Sequence, residues 1–485
     1  MKKRIAYFLI LFFLIIDFSY SFYQYYHTPL LGDVADVVLP TKDYGYYNVL
    51  KDPFGFDVII KDKHYANPNR FFAHKLTSEY FLTIPILLQN FISPINSIYL
   101  ASAIIKLLTH LLIVYLLTLY ITKTSNILNI DFVTVALLIT PFFQTFGYNR
   151  YMGIIDNSVI YTFFYALPLG FLLYFYLPFY NNLFNNKPLK FNYFKILFYI
   201  LFIVFLSFNG PLLTGIVLIV NTIILLFLFI TNYKKKLNNN YLIYRKIYTA
   251  LLQIPPTYLF LFILFNILSL YSLYISKNNT LNCGNSLTIF ERYLRIPIGI
   301  YYLLTQKIGN SLLIFSIIIN YIIIKKYYWN NYAKKIKLLI KWIILFTIIY
   351  ILLLPLGGYR EYRENIIRYD TVLPITISLI YLFGLTSFFI IKQTHKKINL
   401  SYITYIFIIL SIYTIADKTN ESSYICERNI IEEISKSKEK IILLNSDCPV
   451  MDWEKVYNKE FSKKNAKLFK YWNITKTEKL YYYKK

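Results

Sequence analysis

Residues 211–236 read PLLTGIVLIVNTIILLFLFITNYKKK, an apolar block that ends in three consecutive lysines. A hydrocarbon core about 30 Å thick requires roughly 20 apolar residues in a helix, so this block is long enough to cross a membrane. Apolar blocks continue to alternate with short lysine-rich connectors between residues 5 and 416. The sequence therefore predicts an all-α polytopic membrane protein.

About eleven transmembrane helices are predicted from the blocks that meet or approach this length. The blocks are 5–23, 97–121, 128–146, 158–180, 194–208, 211–231, 248–276, 309–324, 338–356, 372–391 and 401–416. Asn209-Gly210-Pro211 interrupts the helical pattern between two of them, which favours a tight turn there over a single kinked span.

Four regions follow from these blocks. They are a first transmembrane helix (1–23), a long outer loop with an interfacial helix over 80–92 (24–96), helices two to eleven (97–416) and a small α/β outer appendage (417–485). The first block is predicted to be an uncleaved span and not a signal peptide, because no small-x-small cleavage site follows it. In the appendage, we expect a helix over 427–438, a strand over 441–444 and a second helix near Asp452.

Composition excludes several functional classes. The chain of 485 residues is 57% hydrophobic with a net charge of +26 and a mean hydropathy of +0.46. Its lysines and arginines lie in short clusters between apolar spans and form no basic stripe, so nucleic acid is not expected as a partner. No P-loop, GxGxxG, CxxC or HExxH motif supports nucleotide-driven pumping or zinc hydrolysis.

The distribution of lysine predicts the topology. Lysines fall mostly on alternate connectors, so the positive-inside rule predicts a cytoplasmic N-terminus and an outer C-terminus in the inner (plasma) membrane. Cys283, Cys426 and Cys448 then all lie outside, where disulfides persist. Cys426 and Cys448 bracket part of the tail, and a bond between them and free thiols are both consistent with the sequence.

Asp33 and Asp36 follow the first span and are the candidate catalytic residues. Three residues apart, they share a face if this segment is helical. A carboxylate at the membrane–water boundary can act as general base toward an incoming hydroxyl or amine. The alternative is that both are solvated loop residues or helix caps.

The outer connector 357–370 (GGYREYRENIIRYD) carries the candidate phosphate site. Written in full it is Gly357-Gly358-Tyr359-Arg360-Glu361-Tyr362-Arg363-Glu364-Asn365-Ile366-Ile367-Arg368-Tyr369-Asp370. Arg360, Arg363 and Arg368 recur near helical spacing, and guanidinium groups bind phosphate with charge-assisted, bidentate hydrogen bonds. The alternatives are pairing with Glu361 and Glu364, or anchoring to lipid headgroups.

Further ionisable residues give weaker predictions. Arg292 and Arg295, in another outer segment, are candidates for the same phosphate site. Lys106 and His110 lie one helical turn apart within the second span, with Asp17 as a candidate partner. Such a cluster is either a proton or ion relay or a structural hydrogen-bonded group.

A divalent metal is possible in the outer loop, although no metal ligand is assigned. His64 and His74 could bind it together with Asp33 or Asp36, but nothing in their spacing requires a metal.

In topology, the chain resembles the GT-C class of integral-membrane glycosyltransferases, whose members have many spans and a long first outer loop. Gly32-Asp33-Val34-Ala35-Asp36 occupies the position of that family's acidic residue, and the connector 359–368 is similar in type to its donor-phosphate region. The family's adjacent acidic pair after the first span and its WWD-like tail sequence have no counterpart here.

The resemblance implies an enzyme that moves a sugar from a polyprenyl-phosphate donor to an envelope acceptor, a glycan or a protein, on the outer face. Asp33 or Asp36 would deprotonate the acceptor, while Arg360 and Arg363 would stabilise the departing phosphate. Two alternatives stay open. One is a transporter or flippase of lipid-linked glycan, and the other is an envelope polysaccharide polymerase or ligase.

Overall fold

The computed structural model is mostly helical. It describes residues 2–41, 46–143, 147–148, 153–235, 243–282, 287–359, 363, 365–393, 396–417 and 421–484. Arg360, Glu361, Glu364 and Cys283, which carry predictions above, lie outside these residues.

The helices and strands, numbered along the chain, have the following bounds. They are α1 (Lys2–Tyr26), α2 (Val34–Val38), α3 (Tyr47–Lys51), α4 (Phe56–Lys61), α5 (Phe71–Leu88), α6 (Pro94–Thr122), α7 (Ile130–Ile139), α8 (Val159–Tyr161), α9 (Leu167–Asn185), α10 (Tyr193–Ser207), α11 (Pro211–Lys235), α12 (Ile243–Leu252), α13 (Pro256–Ile275), α14 (Ile289–Thr305), α15 (Gly309–Tyr327), α16 (Asn331–Leu353), α17 (Leu373–Lys392), α18 (Lys396–Ala416), α19 (Glu421–Lys436), β1 (Ile441–Leu444), α20 (Lys463–Tyr471) and β2 (Leu480–Tyr483).

Nine helices within the described residues are long and apolar enough to cross a membrane. They are α1, α6, α8 with α9, α11, α13, α15, α16, α17 and the apolar part of α18. A polytopic membrane protein is therefore confirmed as the class.

Two of the predicted spans form shorter apolar helices. Residues 128–146 contain Ile130–Phe142, and residues 194–208 lie largely in Tyr193–Ser207. A helix of 15 residues rises only about 22 Å, which is less than the hydrocarbon thickness. The total of eleven complete spans therefore remains a prediction.

The predicted turn between residues 208 and 211 separates two helices. Helix α10 ends at Ser207, and α11 begins at Pro211, where the missing N–H of proline costs no helical hydrogen bond. Gly210 has φ +110°, a conformation that side-chain-bearing residues rarely adopt. Two helices joined by a turn, and not one kinked span, occupy this region.

Helix α17 lies at the centre of the membrane-spanning bundle. Within its most apolar stretch 78% of residues are buried, against 11% for α1. It packs against α6, α7, α15, α16 and α18, whereas α1 packs mainly along α6 and α7. The exposed apolar side chains of α1, such as Phe8 and Phe12, are then suited to face lipid.

The loop after α1 folds into short helices that lead into α5. Ala73, Thr77 and Phe81 recur at four-residue intervals on α5 and are fully buried. This buried face begins well before the predicted start at residue 80, so the helix starts at Phe71 and ends at Leu88, with Pro85 inside it.

The tail packs on this loop. Strands β1 and β2 pair in parallel, with Ile441 opposite Leu480, so the predicted strand over 441–444 is confirmed. The Trp472 side chain, which is fully buried, donates a hydrogen bond from Nε1 to the carbonyl of Phe81 at 2.8 Å. Trp472 thereby ties the tail to α5.

Two details of the tail bear on the predictions. Cys426 and Cys448 form a disulfide. The second helix begins at Lys463 and not near Asp452, because the Asp452 carboxylate accepts a hydrogen bond from the backbone N–H of the next residue, Trp453, at 2.7 Å. Asp452 therefore belongs to a loop.

Candidate functional site

Asp33 lies between the end of α1 and α2, in a turn that requires glycine. Gly32 has φ +97°, and a Cβ on it would come within 2.8 Å of the Trp453 ring. The Tyr46 hydroxyl donates a hydrogen bond to the Asp33 carboxylate at 3.4 Å. The loop thus places Asp33 in contact with the tail. The sequence alone does not indicate this contact.

The environment of Asp33 suits a proton acceptor. Burial raises the pKa of its carboxyl, and the charge of Asp36 raises it further, against the opposing effect of hydrogen bonds from Tyr46 and the Trp453 side chain. Asp452 is affected in the same way, because burial and the charges of Asp33 and Asp36 raise its pKa. Three carboxylates therefore interact here, of which only Asp33 and Asp36 were predicted as site residues from the sequence.

Asp36 has a different partner from Asp33. It lies on α2 and forms an ion pair with Lys464 of α20. The ion pair joins the first outer loop to the tail. Asp36 therefore contributes charge and cohesion to the site, while Asp33 has no lysine or arginine within ion-pair distance among the described side chains.

A polar cavity of about 790 Å³ opens beside these carboxylates. One wall is formed by Asp33, Asp36 and Thr41 of the first loop, and the other by tail residues that include Asp452 and Lys464. A cavity of this size is within the range that holds small molecules. The carboxylates line a space that an acceptor can enter.

Glu427 positions both walls. Its side chain is buried, and its carboxylate accepts hydrogen bonds from the backbone N–H of Leu30 at 2.8 Å and of Met451 at 2.9 Å. The Tyr99 hydroxyl of α6 donates a third, at 2.9 Å. Leu30 and Met451 lie close in sequence to Asp33 and Asp452, so a single buried carboxylate fixes both segments.

Arg363 and Arg368 converge on Asp370. Arg368 binds this carboxylate with two hydrogen bonds, of 2.7 and 2.9 Å, and Arg363 binds it with one of 2.7 Å. Burial of Asp370 acts to raise its pKa, but the two guanidinium groups outweigh this and lower the pKa to about 2. Two cations therefore share one anion.

The arginine cluster is connected to Asp33 through two aromatic rings. Arg363 donates a hydrogen bond to the Tyr161 hydroxyl at 3.2 Å, and the Tyr161 and Trp453 rings lie 5.8 Å apart. Trp453 in turn contacts Gly32 and Asp33. A π-helical turn, Thr162–Ala166, follows Tyr161, and such turns occur frequently at functional sites.

Arg292 and Arg295 lie on α14 and contact the segment that follows α16. Arg292 donates hydrogen bonds to the carbonyls of Leu287 and Pro355, and Arg295 donates one to the Tyr359 hydroxyl at 3.0 Å. These contacts do not reach Asp370. A phosphate site that includes Arg292, Arg295 and Arg360 therefore remains a prediction.

Lys106 and His110 bind different partners. Lys106 donates a hydrogen bond to the carbonyl of Asn157 at 2.6 Å, beside Asp156. Burial raises the pKa of the Asp156 carboxyl, while the Ser158 N–H and the charge of Lys106 oppose the rise. Ser158 binds the carbonyl of Leu31, so Lys106 supports the loop that holds Asp33.

His110 belongs to a hydrogen-bonded chain within the helices. Its ring nitrogens lie 3.1 Å from the Tyr25 hydroxyl and 3.0 Å from the Thr140 hydroxyl. Thr140 also donates a hydrogen bond to the predicted partner, Asp17, at 2.7 Å. The expected polar cluster therefore separates into two groups, one around Lys106 and one around His110.

The two loop histidines contact groups other than the carboxylates predicted with them. His74 is buried between the rings of Tyr46 and Phe164, and His64 lies 4.0 Å from Asp62. Within the described ranges, no group of three or more His, Cys, Asp or Glu side chains is arranged to hold a metal ion.

No protein-family model, curated protein or solved structure matches this chain.

Proposed function

We propose that this chain is an integral-membrane glycosyltransferase, which moves a sugar from a polyprenyl-phosphate donor to an envelope acceptor on the outer face of the membrane. The observation that carries the proposal is the position of Asp33. Its carboxylate lines a polar cavity of about 790 Å³ and is linked through Trp453 and Tyr161 to the guanidinium group of Arg363.

In this proposal Asp33 is the general base. A carboxylate whose pKa is raised holds a proton more strongly, so it accepts one more readily from an acceptor hydroxyl or amine. Asp36 raises the pKa of Asp33 through its charge, while its own ion pair with Lys464 holds the two walls of the cavity together.

Arg363 and Arg368 would stabilise negative charge on the departing phosphate. Fixed cations in a partly buried site need no reorganisation when charge develops in the transition state. Asp370 holds both guanidinium groups in position through its three hydrogen bonds. Both arginines keep their positive charge, because a guanidinium group stays protonated in proteins.

Two further observations support the outer location. The lysine-rich connectors favour a cytoplasmic N-terminus by the positive-inside rule. The disulfide between Cys426 and Cys448 is of a kind that persists mainly outside the cytosol. A lipid-linked donor would also explain why an enzyme on this face needs no nucleotide-binding motif.

The second candidate is a transporter or flippase of lipid-linked glycan. The hydrogen-bonded chain from Asp17 through Thr140 and His110 to Tyr25 favours it, since ionisable groups within membrane helices often form proton relays. A polymerase or ligase of envelope polysaccharide would use the same arginine cluster.

The test replaces Asp33 in cells that lack the native chain and compares their envelope glycans by mass spectrometry. Asp33→Asn keeps the shape of the side chain but removes the base, so we expect the glycan product to disappear while the protein stays in the membrane. The control is Asp57→Asn, which alters an exposed carboxylate paired with Lys61 and Lys63. Normal glycan in Asp33→Asn cells would refute the proposal, and loss of glycan in His110→Ala cells alone would favour the transporter.

A further inference from the structure

Arg70 is a buried cation whose side chain has no hydrogen-bond or ion-pair partner among the described residues. It immediately precedes α5, and only 7% of its surface is exposed. The guanidinium group lies 4.8 Å from the Phe164 ring and 5.6 Å from the Tyr165 ring. Across the part of the chain that the structure describes, its side chain makes no hydrogen bond and no ion pair, and its Nε is fully buried.

Binding of an anion would stabilise the Arg70 guanidinium group in this environment. An arginine is always charged and carries five N–H donors, and burying a charge without hydrogen bonds or a counter-ion is costly. Contacts with aromatic faces offset only part of that cost. Arg363 and Arg368 differ from Arg70 because Asp370 already accepts hydrogen bonds from both of them.

Other polar groups near Arg70 are also unsatisfied. Asn69 Nδ2, His74 Nδ1 and Ser207 Oγ are buried and have no hydrogen-bond partner among the described residues. A hydrogen bond from the Phe72 N–H to the carbonyl of Phe208, at 3.2 Å, brings the turn after Ser207 against the start of α5. The two segments that meet at Arg70 therefore carry three buried groups that can donate hydrogen bonds, together with one buried acceptor without a described partner, Asn209 Oδ1.

The protonation of His74 adds a donor. Burial lowers the pKa of its imidazole, and the charge of Arg70 lowers it further, so the ring is neutral. The Asn67 side-chain amide lies 3.3 Å from Nε2, and if it donates there, Nδ1 carries the proton. A neutral donor beside a guanidinium group adds a hydrogen bond without adding charge repulsion.

Gly210 allows Arg70 to occupy this position. A Cβ on Gly210 would lie 2.8 Å from Arg70 Nε, and its φ of +110° already disfavours other residues. The turn that separates α10 from α11 thus serves a second purpose, because it leaves space for the guanidinium group.

Arg70 is connected to the proposed active site from two sides. The ring of Phe164, which Arg70 contacts, lies 4.8 Å from that of His74, and His74 lies 4.3 Å from Tyr46, which binds Asp33. On the other side, Tyr165 lies 5.3 Å from Tyr161, which binds Arg363.

We propose that Arg70, together with Asn69, His74 and Ser207, forms an anion site that binds a phosphate group. The source of the phosphate is either an isoprenoid phosphate headgroup or free phosphate. The first source rests on the proposed function. There Arg70 would bring a further positive charge to the phosphate, whereas Arg363 and Arg368 already bind Asp370. The inference of an anion site itself rests on two observations. Arg70 is buried, and its side chain has no hydrogen-bond or ion-pair partner among the described residues.

The experiment measures binding to the purified full-length chain in detergent by isothermal titration calorimetry. Farnesyl phosphate, inorganic phosphate and farnesol are the three probes. The variants are Arg70→Gln and Arg70→Lys, with Arg245→Gln as the matched control, because Arg245 is an arginine of α12 that lies far from this site in the predicted topology. Thermal unfolding of each variant establishes that it is folded.

We expect farnesyl phosphate to bind the wild type and Arg245→Gln equally, and farnesol to bind neither. Arg70→Gln should weaken binding by about ten- to a hundredfold, as expected for loss of charge-assisted hydrogen bonds. Arg70→Lys should weaken it less, because it keeps the charge but loses the planar fork. Inorganic phosphate that binds as tightly as farnesyl phosphate would identify free phosphate as the source, and weaker binding would identify the lipid headgroup.

Two results would overturn the inference. One is farnesol binding as tightly as farnesyl phosphate to the wild type, a comparison that needs no variant to fold. The other is unchanged binding of both phosphates in a folded Arg70→Gln. The proposed function is tested separately, because Asp33→Asn removes the base and should leave phosphate binding intact.

Discussion

Replacing Asp370 by asparagine should destabilise the protein and change its response to acid. The Asp370 carboxylate is almost completely buried, whereas the Arg363 and Arg368 side chains are 16% and 25% exposed. Asparagine has a similar shape but no charge, so the two guanidinium groups would lose the carboxylate that they share. The hydrogen bonds that orient both arginines would also weaken.

The magnitude follows from the pKa of Asp370. A decrease from 3.8 to about 2 corresponds to roughly 2.5 kcal/mol in favour of the charged form. Removing one partner of a fully buried ion pair typically costs about 3–5 kcal/mol, but both arginines retain some contact with solvent. We therefore expect Asp370→Asn to lower the free energy of unfolding by about 2–3 kcal/mol.

The sign of the pH dependence also follows. Because the pKa of Asp370 is lower in the folded protein, its contribution is complete above about pH 4 and is lost as the pH falls toward 2. The wild type should lose this part of its stability across that interval, and Asp370→Asn should not.

The assay is denaturation by SDS titration in mixed micelles, followed by circular dichroism at several pH values. Asp57→Asn is again the control, since its exposed ion pairs should contribute little. If Asp370→Asn is as stable as Asp57→Asn at neutral pH and responds to acid like the wild type, the ion-pair assignment is wrong.

Three other predictions concern the cavity and the tail. Asp36→Asn removes a charge that raises the pKa of Asp33, so the acid limb of the activity–pH profile should move to lower pH; a shift to higher pH would contradict this. Glu427→Ala leaves the N–H groups of Leu30 and Met451 buried without an acceptor and should cost about 2–4 kcal/mol in SDS titration, unlike the exposed control Glu439→Ala. Cys448→Ser opens a disulfide with a sequence separation of 22 residues and should lower the stability of the tail by about 3 kcal/mol; an unchanged melting curve would show that the bond is not a stabilising crosslink.

The membrane-spanning architecture was largely predictable from local sequence. Long apolar runs are identified by hydropathy because the bilayer imposes a minimum length on a crossing helix. The turn at Asn209-Gly210-Pro211 and the strand at 441–444 were predictable for the same reason, since the backbone preferences of a few neighbouring residues decide them. The two short helices were harder to assign, because hydropathy measures apolarity better than it locates helix ends.

The candidate site was only partly predictable. Asp33 and Arg363 were identified from their residue types and from their positions near membrane helices. Glu427 was not, because its role depends on a contact with Leu30 across 397 residues. Arg70 was not predicted for a related reason, because the sequence does not show whether the fold places a carboxylate beside a given arginine.

Asp370 illustrates an intermediate case. It belonged to the arginine-rich connector, but the acidic residues considered as partners were the nearer Glu361 and Glu364. The fold buries Asp370 between two guanidinium groups, while Glu361 and Glu364 lie outside the described residues. Burial cannot be deduced from spacing within an irregular loop.

An outer-face transferase requires that the site with Asp33 and Arg363 face the outside of the membrane. A single cysteine can be introduced at Lys440 in the tail or at Lys190 in a predicted cytoplasmic connector, both exposed, with Cys283 replaced by serine. Intact cells are then treated with a membrane-impermeant maleimide. We predict that the cysteine at position 440 is labelled in intact cells, and that the one at position 190 is labelled only after permeabilisation. The reverse pattern would place Asp33 and Arg363 in the cytosol and contradict an outer-face transferase.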